Sequence, residues 1–387
     1  MGDLDFLCDF KENIVDQYEK CKAYRVVCES ENYNPIIDIS NEGSIENVPF
    51  LVTTVFKKSA NLFYELLRVS PDKLDKWTVS SSTSGDPSIV GRRNEDIKKL
   101  KELVTLDNDM LDAYCDYNCV FYPTPEDMKN YRSVKIMDKP TESYIGNILG
   151  ICEDVFEASE GNNVFLLKPY EDRFKVDISA FENFIKKHDK KNHHLALRGS
   201  TILLYNAVQY LKEYINPVEL GTKALVHTGG GGWDGKKGSI STGSKIERWQ
   251  FVEEVSEFLG IPQENFIDTY SFTENSFPIT GHYSPKFKSY LFHIPRWGRV
   301  IIRDVKTLKP LHNPHDRGLL QMLNAYGTSS FAGASILVDD LAEIVSNDKC
   351  PECGKEGMVI KILGRVKGSE AKGCGATLNV GGDKHEN

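Results

Sequence analysis

The sequence predicts an α/β fold in which strands alternate with helices, and three observations carry that expectation. Short apolar runs bounded by Gly, Pro and polar clusters alternate with longer runs whose apolar residues recur at helical spacing. Two strand-like runs lead straight into Ser- or Gly-rich loops, at 80–88 and 229–232. Open sheets bind ligands in such loops, at the carboxyl ends of their strands. Finally, 387 residues with 40% hydrophobic and 10% aromatic side chains are enough for a large core.

Taken in order, residues 1–70 read as a helical region. Phe6, Phe10, Ile14, Tyr18 and Tyr24 fall at roughly helical intervals, 56–67 forms a second amphipathic run, and 32–48 is a polar connection. Trp77 and Val79 read as a strand before the serine loop. A charged helix is expected over 94–104 and a short strand over 120–122, closed by Pro123 and Pro125. Strand 163–167, helix 178–187, and helix 200–214 with a hydroxyl cap follow. Then come a strand from Ala224 into four glycines and a helix over 246–259 stopped by Gly260 and Pro262. Further strands are expected at 266–275, 299–304, 335–342 and 358–363, with an apolar segment at 318–323.

Composition excludes several classes. Net charge is −9 with a pI near 5.6, against a basic footprint for nucleic acid. Nine irregularly spaced cysteines point to reduced thiols and a cytoplasmic setting. The N-terminus is acidic where a signal peptide is basic, and no run approaches the ~20 apolar residues of a membrane span.

Five stretches carry chemistry. The loop S-S-S-T-S-G-D-P-S offers hydroxyl donors and a glycine turn to a phosphate; a solvated linker is the plain alternative. The glycines at 229–232 let a flat ligand lie on backbone, with Trp233 beside them for stacking and Lys236 and Lys237 for charge; the alternative is a hinge. Thr273-Glu274 at a strand end can set a hydroxyl and a carboxylate beside a phosphate-bound Mg²⁺. Asp339-Asp340 ends another strand, where a carboxylate can accept from ribose hydroxyls. Near the C-terminus, Cys350 and Cys353 form a C-x-x-C knuckle. With Cys374 and His385 it resembles a zinc ribbon only loosely, and shaping a turn is the competing role. Cys374 itself lies between glycines with Lys367 and Lys372 nearby, which suits a thiolate nucleophile.

Together S-S-S-T-S-G-D-P-S, G-G-G-G-W, Y-S-F-T-E, V-D-D-L-A and L-G-R-V-K-G stand in the order found in adenylate-forming enzymes. The chain most resembles the LuxE-type acyl-protein synthetases of the phenylacetate–CoA ligase group. That resemblance implies a large adenylating domain of mixed sheets packed with helices, here 1–345, and a truncated C-terminal segment, 346–387, after the hinge. It implies ATP and Mg²⁺, attack of a carboxylate, fatty in type, on ATP to give acyl-AMP, and transfer to a thiol. Ser80, Ser81, Thr83, Ser84 and Gly85 would hold phosphates. Gly230, Gly231, Gly232 and Trp233 would line the adenine and acyl channel, and Tyr270 belongs to the same nucleotide-binding set. Thr273 would touch the α-phosphate, Glu274 ligate Mg²⁺, Asp340 bind ribose, and Arg365 reach in from the hinge. Cys374 would carry the acyl group, and an acyl-accepting reductase or transferase is the implied protein partner.

The departures are as specific as the matches. Ser82 replaces a loop glycine, Ser88 a loop lysine, and Ser271 the glycine after the motif tyrosine; Lys367 and Gly368 stand where hinge aspartates are usual. Only a short stretch of this sequence follows the hinge motif, so the resemblance leads us to expect no large C-terminal domain with its lysine, and Lys236, Lys237, Lys367 and Lys372 are the expected candidates for that cation. Two other readings stay open: a CoA ligase with coenzyme A as acceptor, and a degenerate nucleotide-binding scaffold.

Overall fold

The computed structural model describes the whole chain except residues 1–4, 81–85, 131–140, 144–145, 147, 152–162, 171–172, 189–192, 232, 234–235, 238–239, 242–244 and 366–387. Among the described residues, a thirteen-stranded mixed sheet dominates. Its organising strand is Phe266–Tyr270, whose aromatic and β-branched residues suit a buried pleat. On one side it pairs in parallel with Ala224–Gly229, and that half continues through Leu195–Ser200, Tyr117–Phe121 and Asn163–Phe165, all parallel. On the other side it pairs antiparallel with Ile279–Ser284, then Ser289–His293, Val359–Arg365, Ser335–Ser346, Arg317–Asn324, Gly298–Arg303 and Pro310–Leu311. Leu51–Val52 joins Ser335–Ser346 in parallel.

Helices cover the parallel half, as parallel strands require. Helix Thr201–Leu211 starts at Ser200, whose hydroxyl accepts from the Leu203 amide at 3.3 Å, and it buries Leu203, Leu204, Ala207, Val208 and Leu211. Helix Arg248–Leu259 buries Phe251, Val252, Val255, Phe258 and Leu259 and ends at Gly260, φ +61°. A Cβ at Gly260 would lie 2.6 Å from Glu219 Cα, so both dihedral and space call for glycine. Each large apolar side chain so buried contributes roughly 1.5–3 kcal/mol. A smaller sheet joins Ile89–Arg92, Lys76–Val79 and Thr141–Ser143.

The N-terminal reading needs correcting. Helices Phe6–Lys20 and Lys22–Ser30 form as expected, and Asp5 caps the first. The amphipathic run 56–67, however, is broken into 3-10 turns. Bridges from Lys57 to Ser88 and from Leu67 to Phe331 hold that stretch extended at both ends, and tertiary pairing overrides its helical spacing. Residues 346–365 are built into the main sheet through Val359–Arg365, which lies between Ser289–His293 and Ser335–Ser346. Among the described residues, no helix is long and apolar enough to cross a membrane.

Candidate active site

The site collects where Phe266–Tyr270 ends. Its parallel neighbour Ala224–Gly229 pairs Gly229 with Thr269, so Gly230 and Gly231, at φ +80° and +63°, leave the sheet beside Tyr270 and Ser271. From the antiparallel half, Asp340 and Arg365 face each other across paired strands. Tyr270 Oη donates to Asp340 Oδ2 at 2.6 Å, and Arg365 Nε donates to Oδ1 at 3.3 Å. Burial, and then the Asp340 charge, push the Tyr270 phenol well above its ordinary value, so it stays a donor at neutral pH. Three residues named from separate motifs are thus one hydrogen-bonded group.

Just beyond Tyr270 the chain turns, with Thr273 and Glu274 both buried. Arg92 holds this turn: its guanidinium donates to Thr273 O at 2.8 Å and Asn275 O at 3.1 Å and lies 4.9 Å over the Phe331 ring. Arg92 ends a strand paired with Lys76–Val79, which runs into the serine loop. The same strand pair therefore carries the loop and clamps the Thr-Glu turn. Residues 81–85, and with them Ser81, Thr83, Ser84 and Gly85, lie outside the described residues. The base of the loop is described. Ser80 N donates to Ser88 O at 3.0 Å, and Ser88 N donates to Ser80 Oγ at 2.8 Å. Lys57 Nζ donates to Asp86 O at 3.0 Å, which puts a buried cation beside the position where Ser88 replaces the usual lysine. Glu274 Oε1 is buried without a hydrogen-bond partner among the described residues. A bare carboxylate oxygen is the hard ligand a Mg²⁺ ion takes, so the residue fits that metal.

Trp233 departs from expectation. Its ring packs on Phe251 and Tyr290, with centroids 5.4 and 6.0 Å away, and the Arg248 guanidinium sits 5.3 Å from its centroid. The indole is part of the core rim rather than an open stacking face. Gly232, Lys367 and Cys374 lie outside the described residues. The backbone of Lys236–Lys237 pairs with Ile240–Ser241.

Next to the strand ends opens a cavity of about 140 Å³, walled by Leu100, Val104, Val120, Ile148 and Phe165 and reaching Gly229, Gly230 and Ser271. Its floor is a polar chain that sequence reading missed. Arg198 donates to His227 Nδ1, to Asn118 Oδ1 at 2.7 Å and to Ala113 O. Because arginine only donates, Nδ1 accepts and Nε2 carries the proton, which it gives to Thr269 Oγ1 at 2.7 Å. Thr269 meets Thr280 at 2.6 Å, and Thr280 donates to Asp107. Burial, then the Arg198 charge, keep His227 neutral. Burial lifts Asp107 to about 7. The legible signal was a polar residue inside an apolar strand, Arg198 in L-A-L-R-G-S and His227 in A-L-V-H-T-G.

Residues 6–120 and 168–381 match the family model of the acyl-protein synthetase LuxE. The chain belongs to the LuxE acyl-protein synthetase family. LuxE membership makes it an acid–thiol ligase. It is similar to a long-chain-fatty-acid–luciferin-component ligase of Aliivibrio fischeri, 24% identical over 378 residues, covering 95% of this chain and 86% of the relative. Among solved structures, its fold is similar to an open 2-hydroxyisobutyryl-CoA ligase in complex with 2-HIB-AMP and CoA. The TM-score is 0.63 at 14% identity, over 94% of this chain and 69% of that one. The same ligase in its thioesterification state matches with TM-score 0.62 at 16% identity, over 93% and 67% of the two chains. These likenesses establish the adenylate-forming fold for this LuxE chain.

Proposed function

We propose that this LuxE-family chain activates a fatty-type carboxylic acid with ATP and transfers the acyl group to the thiol of Cys374. The observation that carries the reading is the hydrogen-bonded group Tyr270, Asp340 and Arg365 beside the Gly230 loop and the Arg92-clamped Thr273–Glu274 turn. Asp340 is the ribose acceptor, and Tyr270 and Arg365 fix its carboxylate. Glu274 holds Mg²⁺, which supplies charge neutralisation at the phosphates. Thr273 orients the α-phosphate, while the apolar cavity takes the acyl chain with its carboxylate toward Gly230. The acid's oxygen attacks the α-phosphorus as the bond to pyrophosphate breaks. The Cys374 thiolate then attacks the acyl carbon, and AMP leaves with the electron pair.

Acid-dependent pyrophosphate release and intact mass test this with ATP, Mg²⁺ and a panel of acids. The wild type is expected to release pyrophosphate and gain one acyl mass. Cys374→Ser should still release pyrophosphate but gain no mass. Asp340→Asn should raise KM for ATP about 10- to 100-fold, the worth of a charge-assisted hydrogen bond. Absence of pyrophosphate across the panel would overturn the reading. An acyl mass on Cys374→Ser, or acyl-CoA as the sole product, would overturn Cys374 as the acceptor.

A further inference from the structure

Away from the Tyr270–Asp340 group, four side chains from three stretches of sequence aim at one point. His282 lies on Ile279–Ser284, His293 ends Ser289–His293, and Cys350 and Cys353 form the knuckle before Val359–Arg365. One ligand atom from each lies within 4.8 Å of all the others. His282 Nδ1 is 3.1 Å from His293 Nε2, Cys350 Sγ is 4.0 Å from His282 Nε2, and Cys353 Sγ is 3.7 Å from His293 Nε2. Tetrahedral zinc, with Zn–N of about 2.1 Å and Zn–S of about 2.3 Å, holds its ligand atoms roughly 3.3–3.8 Å apart.

Register and turn chemistry produce this arrangement. His282 pairs with Leu291, and His293 is two residues further along the same strand, so both imidazoles stand on one face of the hairpin. The knuckle is a closed turn. Cys350 N donates to Lys355 O at 2.8 Å, Gly354 N donates to Cys350 O at 3.1 Å, and Gly354 takes φ +73°. Buried Leu291, Cys350 and Val359, with Phe287 and Val345 against them, form an apolar wall on the site. Glu352 supplies an outer carboxylate: it lies 3.6 Å from His282 Nε2 and accepts from Ser284 Oγ at 2.6 Å. Such outer partners orient metal-bound imidazoles.

We propose that His282, His293, Cys350 and Cys353 form a structural zinc site. Two sulfur and two nitrogen ligands in a closed set select zinc over the oxygen-seeking Mg²⁺ and Ca²⁺, and four protein ligands leave no position for substrate. The sequence reading looked for the remaining ligands in Cys374 and His385, which lie outside the described residues; the sheet supplies the histidines instead. The metal ties the hairpin to the start of Val359–Arg365, where His293 pairs with Val359. The far end of that strand is Arg365, on Asp340. The site therefore anchors the strand that delivers Arg365, and it stands independently of the reaction proposed above.

The test uses the full-length chain, purified without a histidine tag and reconstituted with zinc alone. Elemental analysis is expected to find one zinc per chain, Co²⁺ substitution to give the intense visible bands of a tetrahedral thiolate site, and a strong chelator to lower Tm. Cys353→Ser and His293→Ala should lose the zinc, whereas Cys374→Ser should keep it. If either variant fails to fold, alkylation of the wild type decides: zinc should protect Cys350 and Cys353 until chelator is added. Zinc-free protein after reconstitution, a Cys350–Cys353 disulfide, or alkylation indifferent to chelator would each overturn the site.

Discussion

Asp107 shows how one buried residue ties the cavity to stability. The folded chain keeps its proton up to about 7, whereas an unfolded aspartate releases it near about 4. Folding takes up a proton between those values, so stability falls as pH rises through the window and then levels off. Asp268, lifted by burial to about 6 despite a 2.8 Å hydrogen bond from Thr228, adds to the slope in the same direction below 6. Asp107→Asn keeps an acceptor for Thr280 and removes the ionisation. We expect it to stabilise the protein at pH 8 by on the order of a few kcal/mol and to change little at pH 4. Urea unfolding at both values measures this, and an unchanged difference between them would discard the account. Residues such as Asp340 and Glu274 were legible because they sit in ordered motifs. Asp107 was not, because it lies on a helix surface whose partner, Thr280, is a strand residue far away in sequence.

At the scale of elements, Arg92 is the joint between the serine-loop hairpin and the Thr273–Glu274 turn. Its donors satisfy two backbone carbonyls in a buried setting. Arg92→Met keeps the length of the side chain but strands those carbonyls, at an expected cost of about 2–4 kcal/mol. Thermal unfolding should show that loss. Pyrophosphate release should show a raised KM for ATP with acid affinity nearly unchanged, since Arg92 does not line the cavity proposed to take the acid. Equal losses for both substrates would make Arg92 merely structural. Helix Ile178–Lys187 and strand Ala224–Gly229 were readable from local pattern, with caps and glycines in place. The run 56–67 was not, because its bridges come from Ser88 and Phe331.

For the whole molecule, the decisive feature is that Val359–Arg365 lies inside the main sheet rather than beyond it. A chain ended at residue 346 would expose the facing edges of Ser289–His293 and Ser335–Ser346, both largely buried in the intact protein. It is expected to aggregate on expression, and a cooperative melt from that truncated chain would refute the claim.

The sequence by itself determined the α/β class, most elements and the five ordered motifs, because strand and helix periodicity and turn chemistry are local. Only the tertiary structure decided which distant residues meet: Tyr270 with Asp340 and Arg365, Arg92 with the Thr-Glu turn, and His282 and His293 with the cysteine knuckle. Those meetings depend on strand order and register. Local spacing cannot encode them, since a shift of one residue turns each side chain to the opposite face.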